Sequence, residues 1–290
     1  MRVLTAEYEV KMPHSLDEVL RILAEEPGVW RPIAGGTDVM VPPPPHVPEH
    51  TQYLDLTGLD ALKGIAIDEA YMVFGALTTF TEVREKKEVH RHFPNLIKSA
   101  RATAALAIQN RGTLGGNIMN GSPAADTPPS LLAYDAEVEL RSVNGARWER
   151  LEDFWTGYKQ FTRKADELLT RIRVRIPNGR GFHFYRKVGT RAAQSISKVS
   201  MACYARLDQG KVVEFRVGAG AVAPCCVRTR HAEAMILGRD VASLPVREAR
   251  EALMLDISPI DDIRSTAKYR RTVAGNVFEQ ILEELARLGG

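Results

Sequence analysis

The chain has 290 residues, of which 44% are hydrophobic and 26% are charged, as expected for a globular protein with one large or several smaller domains. Its formal net charge of +3 is too small to favour a nucleic acid or an anionic membrane as its partner. Three cysteines are too few for a disulfide framework, and their spacing fits neither a zinc site nor an iron–sulfur cluster. No stretch reaches the roughly twenty apolar residues that span a bilayer, and no secretory signal is visible, so we expect a cytoplasmic protein without a membrane span.

The N-terminal part predicts a strand, an amphipathic helix and a second strand that ends in glycines. A strand is expected over 7–12, and a helix follows with Ser15 as its N-cap and Glu18 reaching back in a capping box. A buried strand over 30–34 runs directly into Gly35-Gly36-Thr37-Asp38. Glycines at the carboxyl end of a strand mark the position where α/β folds bind ligands, so this segment is a candidate phosphate loop.

The most unusual stretch runs from Arg111 to Asp126 and reads Arg-Gly-Thr-Leu-Gly-Gly-Asn-Ile-Met-Asn-Gly-Ser-Pro-Ala-Ala-Asp. Its four glycines permit positive φ angles and let the backbone touch whatever it faces. Successive N–H groups in such a segment can point into one concavity, which suits phosphate oxygens. A plain surface turn is the alternative, although turns seldom need four glycines followed by Ser-Pro-x-x-Asp. The stretch therefore predicts a phosphate-bearing ligand, and with the first glycine segment it could hold a diphosphate from two sides.

The other elements predict an α+β protein. Five prolines between 41 and 48 exclude regular structure there. Strands are predicted over 53–56, 64–68, 71–76, 136–141, 147–151, 170–176, 182–187, 201–207 and 212–217. Helices are predicted over 79–89, 96–108, 128–134, 231–237, 246–255 and 264–290. The turn-rich stretch 177–181 is the best domain boundary, and the last three strands predict an antiparallel sheet that helices follow.

Five stretches occur together in the order and spacing of a known family. They are Ala34-Gly-Gly-Thr-Asp-Val-Met40, Arg111-Gly-Thr-Leu-Gly-Gly-Asn117, Ser122-Pro-Ala-Ala-Asp126, Tyr185-Arg-Lys-Val-Gly-Thr-Arg191 and Asp261-Asp-Ile-Arg-Ser-Thr-Ala-Lys-Tyr-Arg-Arg271. With these stretches the chain resembles, over nearly its whole length, the flavoprotein subunit of the molybdenum hydroxylases. That family includes bacterial xanthine dehydrogenases, aldehyde oxidoreductases and carbon monoxide dehydrogenase.

The resemblance implies an FAD-binding fold of the vanillyl-alcohol-oxidase (PCMH) type over 1–177, in subdomains of about 1–56 and 57–177, followed by a C-terminal α+β domain over 178–290. FAD would lie between the two subdomains, and N–H groups of both glycine segments would hold its pyrophosphate. The implied cofactor-binding residues are Ile33, Ala34, Gly35, Gly36, Thr37, Asp38, Val39, Met40, Thr113, Leu114, Gly115, Gly116, Asn117, Ser122, Asp126, Leu169 and Lys187.

The resemblance assigns different roles to the residues outside the glycine segments. Asp126 would bond a polar part of the adenosine or ribityl region, and Leu169 would pack near the ring. Lys187 would lie near the flavin, where a cation stabilises the reduced, anionic form. No residue of this chain is implied to be catalytic or to bind a metal.

In function, the resemblance implies an FAD-dependent oxidoreductase subunit that accepts electrons from [2Fe–2S] clusters and passes them to NAD or another acceptor. The clusters would reside on a small partner subunit and the molybdopterin on a large one, in a dimer of heterotrimers. Ser195 stands where relatives often carry an acid near the flavin, so NAD, oxygen and a quinone all stay open as acceptors. The hydroxylated substrate would be decided on another subunit.

Two other classes of function stay open from the residues themselves. A free-standing flavin oxidase or dehydrogenase of the same fold would turn over a substrate without partners, and often links its flavin to a His or Cys. His46 and His50 lie in the proline-rich stretch and not in a glycine segment. A non-catalytic nucleotide-binding subunit would bind an ADP-like ligand without redox activity.

Overall fold

The computed structural model describes residues 8–39, 50–191 and 194–288. The predicted extended stretch over 41–48 and the cofactor-binding role of Met40 therefore fall outside the described residues. Among the helices of these three ranges, none is both long enough and apolar enough to cross a bilayer.

The N-terminal unit is a three-stranded parallel sheet with one helix. In chain order it consists of β1 (Glu9–Lys11), α1 (Leu16–Glu25), β2 (Arg31–Ile33) and β3 (Gln52–Asp55), with β3 between β1 and β2. Ser15 Oγ accepts the N–H of Glu18 as predicted, but the Glu18 carboxylate accepts from the N–H of His14 and so does not close the capping box on Ser15. The apolar face of α1 is buried against β3 and the residues that follow it.

The middle unit is built on a five-stranded antiparallel sheet. Its strands are β4 (Ile65–Asp68), β5 (Tyr71–Gly75), β6 (Glu137–Ser142), β7 (Gly145–Arg150) and β10 (Leu168–Arg175), in the order β4-β5-β10-β6-β7. A separate small hairpin consists of β8 (Trp155–Gly157) and β9 (Gln160–Phe161). Ile172 and Val174 of the central strand are fully buried, whereas Arg173 on the other face pairs with Glu137 over 2.6 Å. The alternating pattern of this strand, read from the sequence, is confirmed.

Seven short helices accompany this sheet. They are α2 (Phe80–Glu85), α3 (Lys87–His92), α4 (Pro94–Ala102), α5 (Leu106–Gln109), α6 (Leu114–Met119), α7 (Pro128–Ala133) and α8 (Leu151–Phe154). Thr79 and Glu82 form a capping box at the start of α2, but the predicted helix over 79–89 is broken at Lys86, which is extended. The predicted helix over 96–108 is also broken, because Ala104 has a φ of +46°. The alanine-rich composition favours a continuous helix there, and tertiary contacts override that preference.

The C-terminal unit is an antiparallel sheet covered by helices. Its elements are β11 (Phe182–Val188), β12 (Val199–Asp208), β13 (Lys211–Gly220), β14 (Val227–Arg228), α9 (Arg230–Ile236), α10 (Val246–Asp256) and α11 (Ala267–Ala286). The three predicted strands are correct, but the sheet has four strands, because β14 adds to the edge of β13. Arg228 of β14 is held by Glu233 over 2.7 Å and by Asp135 of the middle unit over 2.5 Å.

A buried polar cluster joins the middle and C-terminal units. Tyr134 Oη accepts the N–H of Asn95 over 3.1 Å and lies 2.9 Å from His183 Nδ1. The phenol can donate to His183, because a neutral imidazole has one ring nitrogen that accepts a hydrogen bond. Tyr204 packs against both rings. Burial, together with the weaker effect of the positive charge of Lys98, lowers the pKa of His183 to about 4.

This cluster predicts a loss of stability in acid. The unfolded chain takes up the imidazole proton near the ordinary histidine pKa of 6.5 and the folded protein only near 4, so the stabilisation is complete above 6.5 and is lost as the pH falls between these values. The shift corresponds to at most about 3 kcal/mol, and to roughly half of that after allowance for solvent at a partly exposed ring. Urea unfolding followed from pH 7 to 4 measures the loss, which His183→Asn should reduce, because the amide oxygen keeps the acceptor but does not titrate. His14→Asn, at an exposed position, is the control; an unchanged pH profile in His183→Asn would contradict the prediction.

Candidate cofactor-binding site

The two glycine segments predicted to hold a ligand are in direct contact. A Cβ atom on Gly35 would stand 1.7 Å from the carbonyl oxygen of Arg111 and 3.2 Å from the amide nitrogen of Gly112. Arg111 Nε donates to the carbonyl oxygen of Gly35 over 3.3 Å, and Asn120 Nδ2 donates to Asp38 Oδ1 over 3.1 Å. Since no side chain fits at position 35, glycine there lets the end of β2 touch the segment that leads into α6.

The first segment leaves its backbone amides open. Within the three described ranges, no group accepts a hydrogen bond from the N–H of residues 35–38. Gly36 has a φ of +71°, a left-handed conformation that favours glycine. Backbone N–H groups without an acceptor are uncommon when they are shielded from water, and most of these residues are half-buried. The segment is therefore a preformed set of donors for an anionic ligand.

Most backbone N–H groups of the second segment already have hydrogen-bond acceptors, because the segment folds into α6. The N–H groups of residues 114–117 donate, in order, to the carbonyl oxygens of Thr78 and Ala76 and to Oγ1 and the carbonyl oxygen of Thr113. These four bonds measure 2.9 to 3.0 Å. The N–H of Thr113 itself has no acceptor in the part of the chain that the structure describes. The two segments thus differ: the first offers a row of donors, and the second offers a single amide beside it.

Both segments line a cavity of about 730 Å³ between the N-terminal and middle units. This volume lies in the range of small-molecule and cofactor sites. The predicted residues on its wall are Ile33, Ala34, Gly35, Gly36, Thr37, Asp38, Val39, Thr113, Gly115, Gly116, Asn117 and Leu169. Apolar side chains from both units form much of the remaining wall, among them Trp30, Leu77, Phe80, Ile108, Met119 and Phe161. Open amides at one side and apolar walls elsewhere suit a ligand that combines a diphosphate with aromatic rings.

Four predicted residues are absent from the cavity wall: Leu114, Ser122, Asp126 and Lys187. Leu114 is fully buried in the core of the middle unit. Ser122 Oγ accepts the N–H of Ala124 over 3.3 Å and so stabilises the turn after α6.

Asp126 and Lys187 bind each other behind the wall. Lys187 Nζ donates to Asp126 Oδ2 over 2.7 Å and to the carbonyl oxygen of Ala102 over 2.9 Å. Ser197 Oγ donates to Asp126 Oδ1 over 2.8 Å. Burial raises the pKa of Asp126, and the Lys187 ammonium and the Ser197 hydroxyl oppose that rise. Ala102 adjoins Thr103, which is on the wall, so an electrically balanced pair, and not a single cation, stands next to the cavity.

Arg163 is a wall residue that the sequence analysis did not single out. Its Nη1 donates to the carbonyl oxygens of Lys164 over 2.9 Å and Glu167 over 2.6 Å. Its Nε is buried and has no hydrogen-bond partner among the described residues. Burial lowers its pKa, but a guanidinium stays protonated at neutral pH. No pattern in the sequence marks this position, because it lies in a polar loop that contains several other charged residues.

Comparison with known proteins identifies the family to which this chain belongs. Residues 6–178 match the FAD binding domain in molybdopterin dehydrogenase, and residues 183–285 match the CO dehydrogenase flavoprotein C-terminal domain. The chain therefore belongs to the family of FAD-binding subunits of molybdopterin dehydrogenases.

Individual relatives agree along the whole chain. The xanthine dehydrogenase FAD-binding subunit of Escherichia coli O157:H7 is 29% identical over 288 residues, which cover 95% of each chain. The carbon monoxide dehydrogenase medium chain of Hydrogenophaga pseudoflava is 25% identical over 279 residues, which cover 95% of this chain and 96% of that one. A solved structure of carbon monoxide dehydrogenase from Hydrogenophaga pseudoflava that lacks the Mo-pyranopterin moiety of the molybdenum cofactor superposes with a TM-score of 0.91 at 25% identity, covering 97% of this chain and 98% of that one.

These matches confirm the predicted family, the α+β fold with an FAD-binding part and a C-terminal part, and FAD as the cofactor. The chain is an FAD-dependent subunit of the dehydrogenase class. FAD fits the cavity as the structure describes it, because the open amides at 35–38 meet the needs of its pyrophosphate and the apolar walls meet those of its rings.

Replacing Gly35 by alanine is expected to weaken FAD binding, because the new Cβ would collide with the Arg111 carbonyl and force the two segments apart. Such overpacking costs about 1–3 kcal/mol, which corresponds to about 5- to 150-fold in affinity. Quenching of flavin fluorescence on titration of the apoprotein measures the dissociation constant. Gly58→Ala is the matched control, since a Cβ there meets nothing within 4 Å. Equal affinities for the two variants would contradict the role assigned to Gly35.

Arg163→Met is also expected to weaken FAD binding, since it removes the only guanidinium of this loop. Hydrogen bonds to charged groups contribute about 1.5–3 kcal/mol, so the dissociation constant should rise about 10- to 150-fold. Arg163→Lys keeps the charge but not the fork of donors and should recover part of the loss. Arg180→Met, exposed and away from the cavity wall, controls for the change in net charge. An unchanged dissociation constant in Arg163→Met would remove Arg163 from the site.

Proposed function

We propose that this chain is the electron-transfer subunit of a molybdenum hydroxylase complex. It takes electrons from [2Fe–2S] clusters on a small partner subunit and passes them to NAD or another acceptor. A large partner subunit carries the molybdopterin, and the complex is a dimer of heterotrimers in the cytoplasm. The relatives support this proposal through their names, since the carbon monoxide dehydrogenase medium chain and the nicotine 6-hydroxylase medium subunit are each one chain of a larger enzyme.

The observation that carries the proposal is the cavity with its open amides. In our proposal the N–H groups of residues 35–38 and of Thr113 hold the pyrophosphate of FAD, and Arg163 adds a positive charge. When bound, FAD supplies a centre that can exchange single electrons with iron–sulfur clusters and electron pairs with a hydride acceptor. The residues of this chain hold FAD, and the apolar walls of the cavity exclude water from it.

The clusters are assigned to a partner because this chain lacks the ligands for them. A [2Fe–2S] cluster that is held by thiolates alone takes four of them, and the sequence contains three cysteines. Cys203 is buried inside the C-terminal sheet, on β12, and burial raises its pKa well above the ordinary value. Among the described residues, no group of three His, Cys, Asp or Glu side chains could hold a metal ion.

Asp126 and Lys187 are proposed to act on the flavin from behind the wall formed by Thr103. Their opposite charges cancel each other, so the pair itself adds no net charge beside Thr103, and the carbonyl of Ala102 holds the ammonium in position. The proposal keeps as cofactor-binding residues Ile33 to Val39, Asn117 and Leu169, all of which are on the cavity wall. It also keeps the boundary between the FAD-binding domain and the C-terminal domain after residue 177.

Purification of the intact complex tests the proposed function. FAD, iron, acid-labile sulfide and molybdenum should elute together with this chain, and the chain separated from its partners should keep a flavin absorbance that photoreduction bleaches. A colourless chain that takes up no added FAD would contradict the proposal. Turnover of a substrate with oxygen by the separated chain would instead support a free-standing oxidase.

Lys187→Met should destabilise the protein, because it leaves the Asp126 carboxylate buried without its cation. The free energy of unfolding should fall by about 3–5 kcal/mol. The double variant Asp126→Asn/Lys187→Met removes both charges and should recover most of this loss. Urea unfolding of the apoproteins measures the effect on stability, and a redox titration of the bound flavin measures the effect on its potential. A lower potential in Lys187→Met than in the double variant is expected from the unpaired negative charge; equal potentials would show that the pair is purely structural.

A further inference from the structure

A second cavity, which we call the junction cavity, lies between the middle and C-terminal units. It has a volume of about 490 Å³, and residues of β5, β10, β12 and β13 contribute to its wall. It shares no wall residue with the cofactor cavity. Leu169, on the wall of the cofactor cavity, and Arg175, on the wall of the junction cavity, lie at opposite ends of β10. At roughly 3.3 Å per residue, about 20 Å of strand separates them, so the junction cavity is a distinct site.

The wall of the junction cavity contains a buried phenol without a partner. Tyr204 is 1% exposed, and its Oη has no hydrogen-bond partner among the described residues. Burial raises the pKa of this phenol, and the Glu214 carboxylate raises it further. The guanidiniums of Arg206 and Arg216 oppose the rise. Because these three charged residues are also on the wall, the phenol lies next to the cavity, and its proton is available to a ligand.

Arg175 adds a cation without a counter-ion to the same wall. Alternate residues of β10 share one face of the sheet, and on this face Arg171 pairs with Glu139 and Arg173 with Glu137. Arg175 is the next residue on that face and is exposed. Within the three described ranges, its guanidinium has neither a carboxylate at ion-pair distance nor a hydrogen-bond partner. The sheet therefore neutralises two of these arginines and leaves the third, at the cavity, free.

The carboxylates of the wall do not compensate this charge, because each already has a cationic partner. Asp135 lies within 3.4 Å of three guanidiniums, and Glu214 lies within 2.8 Å of two. Glu137 is held by Arg173 over 2.6 Å. In the part of the chain that the structure describes, the wall has four arginines against three carboxylates. The excess positive charge favours an anion in this cavity.

We propose that the junction cavity binds a small organic anion whose carboxylate or phosphate group takes hydrogen bonds from Arg175 and from the phenol of Tyr204. A guanidinium offers a fork of donors that matches the oxygens of such a group. The volume lies in the range of small-molecule sites, and a wall of charged and tyrosine side chains suits a polar ligand body. The ligand touches both units and so stabilises their junction. The inference goes beyond the proposed function, because it involves no residue of the cofactor cavity.

Three sugars with the same ring test the proposal on the full chain loaded with FAD. Glucose 6-phosphate carries a phosphate, glucuronate a carboxylate and glucose no charge. Phenylglyoxal modifies accessible arginines, and peptide mass spectrometry follows its reaction with Arg175 at constant ionic strength. A charged sugar at ten times its dissociation constant should slow this reaction about 10-fold. Glucose should have no effect, and Arg21, which is exposed on α1, is the internal control.

The more protective of the two charged sugars identifies the anionic group that the site prefers. Protection of Arg175 by neither charged sugar would overturn the proposal. Equal protection by glucose would also overturn it, because the anionic group would then have no role.

Tyr204→Phe separates a ligand-binding role of the phenol from a structural one. Calorimetric titration with the protective sugar should show a dissociation constant that is about 10- to 150-fold higher, since one hydrogen bond to a charged group is lost. Without the sugar, urea unfolding of the variant should show no loss of stability, because Oη has no partner to lose among the described residues. Arg175→Met should weaken binding in the same way, and Arg21→Met, which makes the same change in net charge, should not. Unchanged affinity in both Tyr204→Phe and Arg175→Met would overturn the site, as would a loss of stability in sugar-free Tyr204→Phe.

Discussion

The site depends on the contact between the backbone of Gly35 and the carbonyl oxygen of Arg111. This contact joins the end of the parallel sheet to the segment that leads into α6, although 76 positions separate the two residues in the chain. Because the two backbones touch at this point, no residue with a side chain can replace Gly35. It also sets the position of the open amides at 35–38 relative to Thr113. The hydrogen bond between Asn120 and Asp38 ties the segments together at a second point, so they form one frame.

Much of this frame could be predicted from the sequence, because glycines record local requirements of the backbone. The contact at Gly35 and the left-handed Gly36 are both of this kind. The use of the amides of Leu114 and Gly115 could not be predicted, because their acceptors, the carbonyls of Thr78 and Ala76, come from a distant part of the chain. Arg163 was missed for a similar reason. Only the folded loop shows that Arg163 lies on the cavity wall and that, among the described residues, its buried Nε has no hydrogen-bond partner.

The fold shows the same division between local and distant causes. Strands with clear alternation, such as β10, were predicted because their pattern is sufficient to bury one face. The helix break at Ala104 was not predicted. It depends on the side-chain amide of Gln109, which donates to the carbonyl oxygens of Arg101 and Thr103 only after the chain has folded back. The short strand β14, whose Arg228 is fixed by Asp135 of another unit, was not predicted either. Where a distant partner decides the backbone, composition and periodicity carry no signal.

One stretch of backbone next to the cavity, residues 101–103, accepts side-chain hydrogen bonds at three successive carbonyl oxygens. The carbonyl of Ala102 accepts from Lys187, and the carbonyls on either side of it accept from Gln109. Thr103 is part of the cavity wall. A cofactor in the cavity therefore borders a segment whose carbonyl oxygens are held by side chains from α5 and β11.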